Sequence, residues 1–367
     1  MKTEKLTDFC VFSLGCKVNQ VEGQSLAEQL TQNNFSVSLE LVPAAHYIIN
    51  TCSVTSEADS KSRQSVARAL TLNPQANIYV VGCSSQLDKT VFEGKKNVKI
   101  VGGAASKKAT LTQILDMIQR DKFHELESNI ALLPTKFENL GKPLTTRKQA
   151  YLKIQDGCDQ YCSYCIVPIL RGKSRSRDLD EIIQEARELS ESGKELVLVG
   201  INLSDYRINQ KPALTQLVNA LKEITAKKYL GSLGINIITE ELLTALKEND
   251  FVPEFHLSIQ SGSDTVLNRM NRKYISSDII EKVALIRKVF SASFITADII
   301  TGFPQESETE FEETVHVLHT INLDNLHIFP YSERKGTVAY DMPQVSKTIR
   351  KERANKLKDL FTRGKIT

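Results

Sequence analysis

No apolar run in this 367-residue chain approaches the roughly 18 residues that a membrane-spanning helix needs. The opening stretch Met1 to Asp8 also lacks the apolar segment of a secretory leader, so the chain is expected to stay in the cytoplasm, with no membrane partner. In a reducing compartment, seven cysteines are unlikely to form a disulfide framework. No internal repeat or low-complexity segment stands out beyond an alternation of strand-like and helix-like runs. Net charge is only +3, and 41% apolar with 25% charged residues is a soluble globular balance. The length exceeds one ordinary core and suits two domains.

Charge is unevenly spread. Between Arg147 and Arg177 seven basic residues face only Asp156 and Asp159, and from Lys347 to Lys365 eight face only Glu352 and Asp359. Such clusters suit a polyanion such as RNA, although a solvated charged face is the commoner meaning of any single run.

The fold class is α/β. In residues 1–120 the β-branched runs Phe9–Ser13, Tyr47–Asn50, Ile78–Gly82 and Val98–Val101 alternate with helical patterns at Val18–Leu30, Glu57–Leu72 and Lys107–Ile118, which argues a parallel-sheet domain. A second array starts at Tyr151–Gln155 and continues through Glu195–Val199, Leu230–Ile235, Phe255–Gln260, Phe294–Ile300 and Leu326–Tyr331. Six βα units are too few to close an eight-stranded barrel, so residues 150–345 are expected to form an open (β/α)6 partial barrel with its active face at the strand C-termini. Residues 121–149 lack a sustained period and are expected to be a linker. Residues 346–367 are expected to be a basic helix, with Ile349, Leu357, Leu360 and Phe361 packing on the barrel.

Cys158, Cys162 and Cys165 form a C-x3-C-x2-C run after the first barrel strand. Three thiolates leave one iron of a [4Fe-4S] cluster free to bind a small chelating cofactor. A zinc knuckle is the alternative, but no second Cys or His pair follows at a suitable spacing. Cys16, Cys52 and Cys83 each lie just past a strand of the first array and so share one sheet edge, where ligands bind in open α/β sheets. The alternative for these three is packing as small buried hydrophobes, the role assigned to Cys10 within the first strand.

The segments from Ser13 to Glu22, from Asn50 to Thr55 and from Val81 to Cys83 resemble the N-terminal domain of the methylthiotransferase family of radical S-adenosylmethionine (SAM) enzymes. So do Lys153 to Cys158, Arg171 to Arg177, Gly200 to Leu203, His256 to Asp264, Arg269 to Tyr274, Asp298 to Pro304 and Phe329 to Ser332. The resemblance runs from about Phe9 to Met342, and the Gly-Cys-Lys-Val-Asn-Gln form followed by Glu22 is most similar to the branch acting on threonylcarbamoyladenosine in tRNA.

The resemblance implies two [4Fe-4S] clusters: a SAM-binding one on Cys158, Cys162 and Cys165, and an auxiliary, sulfur-carrying one on Cys16, Cys52 and Cys83. SAM is implied as cofactor, reductively cleaved so that its radical takes hydrogen from C2 of adenine at position 37, which then receives the methylthio group. Tyr164, Gly200, Asn202, Gln260, Ser261, Asp298 and Gly302 are implied to border SAM and the substrate. Arg171, Lys173, Arg175 and Arg177 are expected to meet phosphates of the tRNA anticodon loop. An electron donor is implied, and DNA is not expected as a partner. Two departures from the family are expected to matter: Gly234 occupies a stretch where relatives usually carry an acidic residue, and the TRAM RNA-binding domain that ends the relatives is not expected after the basic helix. Methylthiolation of isopentenyladenosine or of a ribosomal-protein aspartate, and a cluster-bearing binding role without catalysis, are the competing readings.

Overall fold

The computed structural model describes residues 6–94, 97–104, 106–119 and 133–363. The chain divides into two compact units, residues 1–157 with 167–177, and residues 158–166 with 178–367. This differs from the division expected at residue 150: the first strand of the second array and the basic segment after the cysteine triplet join the first unit. The triplet itself joins the second.

In the first unit β1 (Thr7–Ser13), α1 (Lys17–Gln32), β2 (Val37–Ser38), β3 (Ala44–Thr51), α2 (Ser56–Leu72), β4 (Asn77–Gly82), α3 (Cys83–Leu87), β5 (Val98–Ile100) and α4 (Lys107–Gln119) follow in order. The sheet is wholly parallel, in the order β2-β1-β3-β4-β5. Both faces are covered, as strands linked by helical crossovers require. Phe9, Val11, Ile48, Tyr79 and Val81 pack against Leu26 and Leu30 of α1 and Leu111 and Ile114 of α4. Their neighbours Cys10, Tyr47, Ile49, Ile78 and Val80 face Val66 and Ala69 of α2, which gives Cys10 the packing role expected for it.

Residues 133–148 hold no helix or strand, yet they are not a free linker. Gln29 and Ser25 of α1 donate to the carbonyls of Leu140 and Gly141 at 2.6 and 2.9 Å, and Glu138 accepts the N–H groups of Lys107 and Lys108 at the start of α4. The rest of the expected linker, residues 121–132, lies outside the described residues. The unit is completed by β6 (Gln149–Lys153), β7 (Gln155–Asp156), α5 (Val167–Arg171) and β8 (Arg175–Ser176), with β7 and β8 antiparallel.

The second unit runs α6 (Leu179–Glu191), β9 (Glu195–Val199), the hairpin β10 (Arg207–Ile208) and β11 (Lys211–Pro212), α7 (Leu214–Ala220), β12 (Lys228–Leu230), β13 (Ser232–Leu233), α8 (Glu240–Glu248), β14 (Glu254–Gln260), α9 (Asp264–Arg269), α10 (Ser276–Val289), β15 (Phe294–Thr301), α11 (Glu308–Ile321), β16 (Asn325–Pro330) and α12 (Lys347–Arg363). β12 pairs parallel with β9, and β13-β14-β15-β16 form a parallel sheet. The expected strand Leu230–Ile235 is split at Gly231, where an added Cβ would lie 2.9 Å from the carbonyl oxygen of Leu198. A capping box of Ser307 and Glu310 opens α11.

The C-terminal helix packs differently from its apolar spacing. Leu357 is buried, but Ile349 is exposed, and Arg350 and Arg353 occupy the covered face. Arg350 donates to the carbonyl of Tyr331 and to Glu333, and Arg353 donates to Glu306 and Glu308. Among the described residues no helix is long and apolar enough to cross a membrane.

Candidate metal centres

In the first unit the C-terminal ends of β1, β3 and β4 deliver Cys16, Cys52 and Cys83 to one edge of the sheet. Cys16 is exposed at the head of α1 with an extended backbone, while Cys52 and Cys83 are buried. Burial, aided by the neighbouring Cys83 and Cys16, pushes the Cys52 thiol up to about 12, while the backbone N–H groups of Val54 and Cys16 act the other way. Burial likewise raises Cys83; Arg171 and Lys107 oppose it. The three sulfurs therefore lie within electrostatic reach of one another.

The backbone is shaped around them. Gly15 has φ +85°, and a Cβ there would fall 2.3 Å from Cys52 Sγ. Gly82, before Cys83, has φ +103°, and its Cβ would meet the Thr51 carbonyl oxygen at 2.4 Å. Soft thiolates crowded at a strand edge, with glycine clearing the space beside one of them, fit an iron–sulfur cluster. In such a site bound iron displaces the thiol protons that burial otherwise retains.

A buried ionic network lies in the same unit. Glu22 accepts from Arg171 Nη1 and Nη2 at 2.8 and 3.0 Å and from Lys153 Nζ at 2.7 Å. Asp156 receives Lys153 at 2.9 Å and Arg171 at 2.9 Å, with Arg175 at 3.5 Å. Burial alone would raise the Glu22 carboxyl, but Arg171 and Lys153 outweigh it and hold it at about 2. The same cations hold Asp156 well below the usual carboxylate range against the effect of burial.

This network corrects the expected RNA-binding set. Arg171 is 1% exposed and bound to two carboxylates; Arg175 donates to the carbonyls of Arg171 and Lys173; Arg177 is buried. Only Lys173 of the four is exposed. Charged side chains taken out of water must be paired, and these satisfy a fold requirement instead of facing a polyanion.

In the second unit the loop bearing Cys158, Cys162 and Cys165 is pinned by the 269–272 segment. Ser163 N–H and Oγ donate to the carbonyls of Met270 and Arg269 at 3.1 and 2.7 Å, and Asn271 Nδ2 donates to the Tyr161 carbonyl at 3.0 Å. Arg272 Nη1 donates to Cys162 Sγ at 3.3 Å. Asn202 Nδ2 lies 3.8 Å from Cys158 Sγ, and Gln160 N–H donates to the same sulfur at 3.5 Å. Burial raises the Cys158 thiol to about 11, with Gln160 and Asn202 opposing. All three cysteines are half-buried, and the donors aimed at the sulfurs of Cys158 and Cys162 fit ligands that carry negative charge when bound to iron. Arg272 is the functional residue that sequence reasoning missed, although it stands inside the Arg269 to Tyr274 segment that carries part of the resemblance.

The remaining implied residues divide. Asn202 meets the Cys158 sulfur, and Gly200 is half-buried at the end of β9. The Tyr164 ring meets Phe303 edge-on at 6.4 Å and packs against the cluster of Val266, Met270 and Tyr331. Gln260 ends β14 with φ +71° and is nearly buried. Ser261 is a correction: its hydroxyl is fully buried, 3.1 Å from Thr314 Oγ1, and accepts the Ser263 N–H, so it does not line a pocket. Gly302 is another. Its φ of +66° and its close approach, where a Cβ would come 2.4 Å from Arg350 Cγ, serve the seat of α12. Asp298 faces His256 and His327.

Residues 152–318 match a family model described as "Radical SAM superfamily", and residues 8–103 match one described as "Uncharacterized protein family UPF0004". Threonylcarbamoyladenosine tRNA methylthiotransferase MtaB of Bacillus subtilis is 35% identical over 353 residues, which cover 94% of this chain and 78% of that protein. tRNA-2-methylthio-N(6)-dimethylallyladenosine synthase of Natranaerobius thermophilus is 32% identical, covering 95% of this chain and 80% of that protein. Among solved structures, the cobalamin-dependent SAM radical enzyme OxsB superposes with a TM-score of 0.61 at 14% identity, covering 96% of this chain and 56% of that one, a likeness of fold.

Proposed function

We propose that this chain, which belongs to the radical SAM methylthiotransferase family, adds a methylthio group to C2 of N6-threonylcarbamoyladenosine at position 37 of tRNA. The observation that carries this reading is the pair of cysteine triplets, one at the C-terminal strand edge of the first unit and one in a loop of the second whose sulfurs meet Arg272 and Asn202, in a chain aligned over 94% of its length with a relative of that name. The relatives named for dimethylallyladenosine are less similar, at 29–32% identity, so that substrate ranks second.

Cys158, Cys162 and Cys165 would hold the cluster that binds SAM, and Cys16, Cys52 and Cys83 the auxiliary one. When bound, the first with SAM supplies the radical that removes the C2 hydrogen, a bond no side-chain base can deprotonate in water, and the second supplies the sulfur. This chain's own residues place those groups. The 269–272 segment sets the loop, Arg272 and Asn202 address its sulfurs, and Gly15 opens the space at Cys52. The reading further takes the anticodon loop as the part of tRNA engaged, a one-electron donor as a protein partner and the cytoplasm as the site of action.

Mass spectrometry of tRNA nucleosides from a deletion strain tests the assignment. Loss of the 2-methylthio form of threonylcarbamoyladenosine is expected. Loss of the isopentenyl form instead reassigns the substrate, and an unchanged profile overturns the reading.

A further inference from the structure

Three strands of the second unit converge a ligand set that the cluster chemistry does not use. His256 on β14, Asp298 on β15 and His327 on β16 hold one donor atom each within 4.8 Å of the others. Strand pairing fixes this geometry: His256 lies opposite Thr296, and Asp298 lies opposite His327. Period-two alternation sets the common face. Phe255, Leu257, Ile295, Ala297 and Ile299 are buried on one side, while His256, Thr296 and Asp298 are half-buried on the other.

Each ring nitrogen of His256 has one close polar neighbour. Thr296 Oγ1 lies 2.7 Å from His256 Nδ1 and 3.4 Å from the Phe255 carbonyl oxygen. Nε2 stands 3.1 Å from Asp298 Oδ2. On the other carboxylate oxygen, His327 Nδ1 is 3.5 Å from Oδ1, beyond ordinary hydrogen-bond range. Two ligands about 2.1 Å from a shared ion, at tetrahedral or octahedral angles, stand roughly 3.0–3.4 Å apart, close to both separations.

We propose that His256, Asp298 and His327 form a mononuclear divalent-metal site distinct from the cysteine clusters, taking a borderline ion such as Zn²⁺ or Fe²⁺. Two imidazoles and one carboxylate suit these ions, whereas Mg²⁺ and Ca²⁺ favour all-oxygen shells. Thr296 is the outer partner that orients the His256 ring, 2.7 Å from Nδ1. The His327 side chain is 50% exposed, which leaves coordination positions open to water or to an anionic oxygen.

The test uses full-length protein with its clusters reconstituted, so that iron occupies the cysteines. Equilibrium dialysis against zinc, with metals counted by mass spectrometry, should give about one zinc per chain, and X-ray absorption should give a nitrogen and oxygen shell at about 2.0–2.1 Å. Asp298→Asn and His256→Gln should abolish binding. Thr296→Val retains all three ligands and should weaken zinc binding about 10–100-fold, which decides the matter even where a ligand variant fails to fold. Absence of bound zinc, sulfur in the zinc shell, or unchanged affinity in Thr296→Val would each overturn the proposal.

Discussion

Arg171 sets both terminal nitrogens of its guanidinium on the carboxylate of Glu22, 149 positions earlier in the chain, at 2.8 and 3.0 Å. Both side chains are almost fully buried. Removing Arg171 leaves Glu22 and Asp156 to share Lys153 and Arg175 in a low-dielectric interior, so Arg171→Ala should destabilise the first unit by about 3–5 kcal/mol. Chemical denaturation followed by a probe in that unit measures it, and a loss confined to tRNA affinity would contradict the assignment.

The same pair sets an acid limit. Glu22 titrates at about 2 in the folded protein and near 4.5 when unfolded, so its contribution is complete above the unfolded value and is lost as pH falls through the folded one. Stability should decline from about pH 4.5 towards pH 2, and Glu22→Gln should flatten that part of the profile. A profile of unchanged slope in the variant would count against the pairing.

Arg272 donates to Cys162 Sγ, and both its charge and its hydrogen bond favour the more negative, reduced state of a cluster held there. Arg272→Gln should shift the reduction potential of that cluster to a more negative value and slow SAM cleavage. A redox titration followed by electron paramagnetic resonance reads the potential directly. An unchanged potential would make Arg272 a loop anchor only.

Gly15→Ala would place a methyl group against Cys52 Sγ at a φ of +85°. Iron after anaerobic reconstitution should fall from about eight to about four per chain, with the SAM-binding cluster retained. Eight irons in the variant would return Cys52 to plain core packing.

Exposed cations are the groups left to meet tRNA. Lys347 and Lys351 of α12 are exposed, whereas Arg350 and Arg353 are buried, and Lys356 is paired with Glu312. Lys347→Glu with Lys351→Glu should weaken tRNA binding and reduce the slope of log affinity against log salt by about 0.7–0.9 for each phosphate no longer neutralised. An unchanged slope would make the helix a packing element.

What the sequence made legible was whatever depends on local period. The strand alternation placed Cys16, Cys52 and Cys83 at one edge, because a residue just past a parallel strand has only one end of the sheet to occupy. The Ser307–Glu310 capping box and the cysteine triplet were legible for the same reason. What it hid was long-range pairing. Arg171 and Arg175 read as a basic run because their carboxylate partners come from Glu22 on α1 and Asp156 on β7. Gly302 suggested a ligand approach because nothing local announces Arg350 across the turn. The His256–Asp298–His327 set was equally invisible, since its members join only through the register of three strands.

The most direct test of the central claim is a single anaerobic assay of reconstituted protein with SAM, a reductant and tRNA bearing threonylcarbamoyladenosine, in which 5′-deoxyadenosine and the methylthiolated nucleoside are quantified together. The wild-type chain should form both. Cys162→Ala should form neither, and Cys52→Ala should form 5′-deoxyadenosine without methylthiolated product. Methylthiolation by the Cys52→Ala protein, or its absence in the wild-type protein alongside sustained SAM cleavage, would contradict the account.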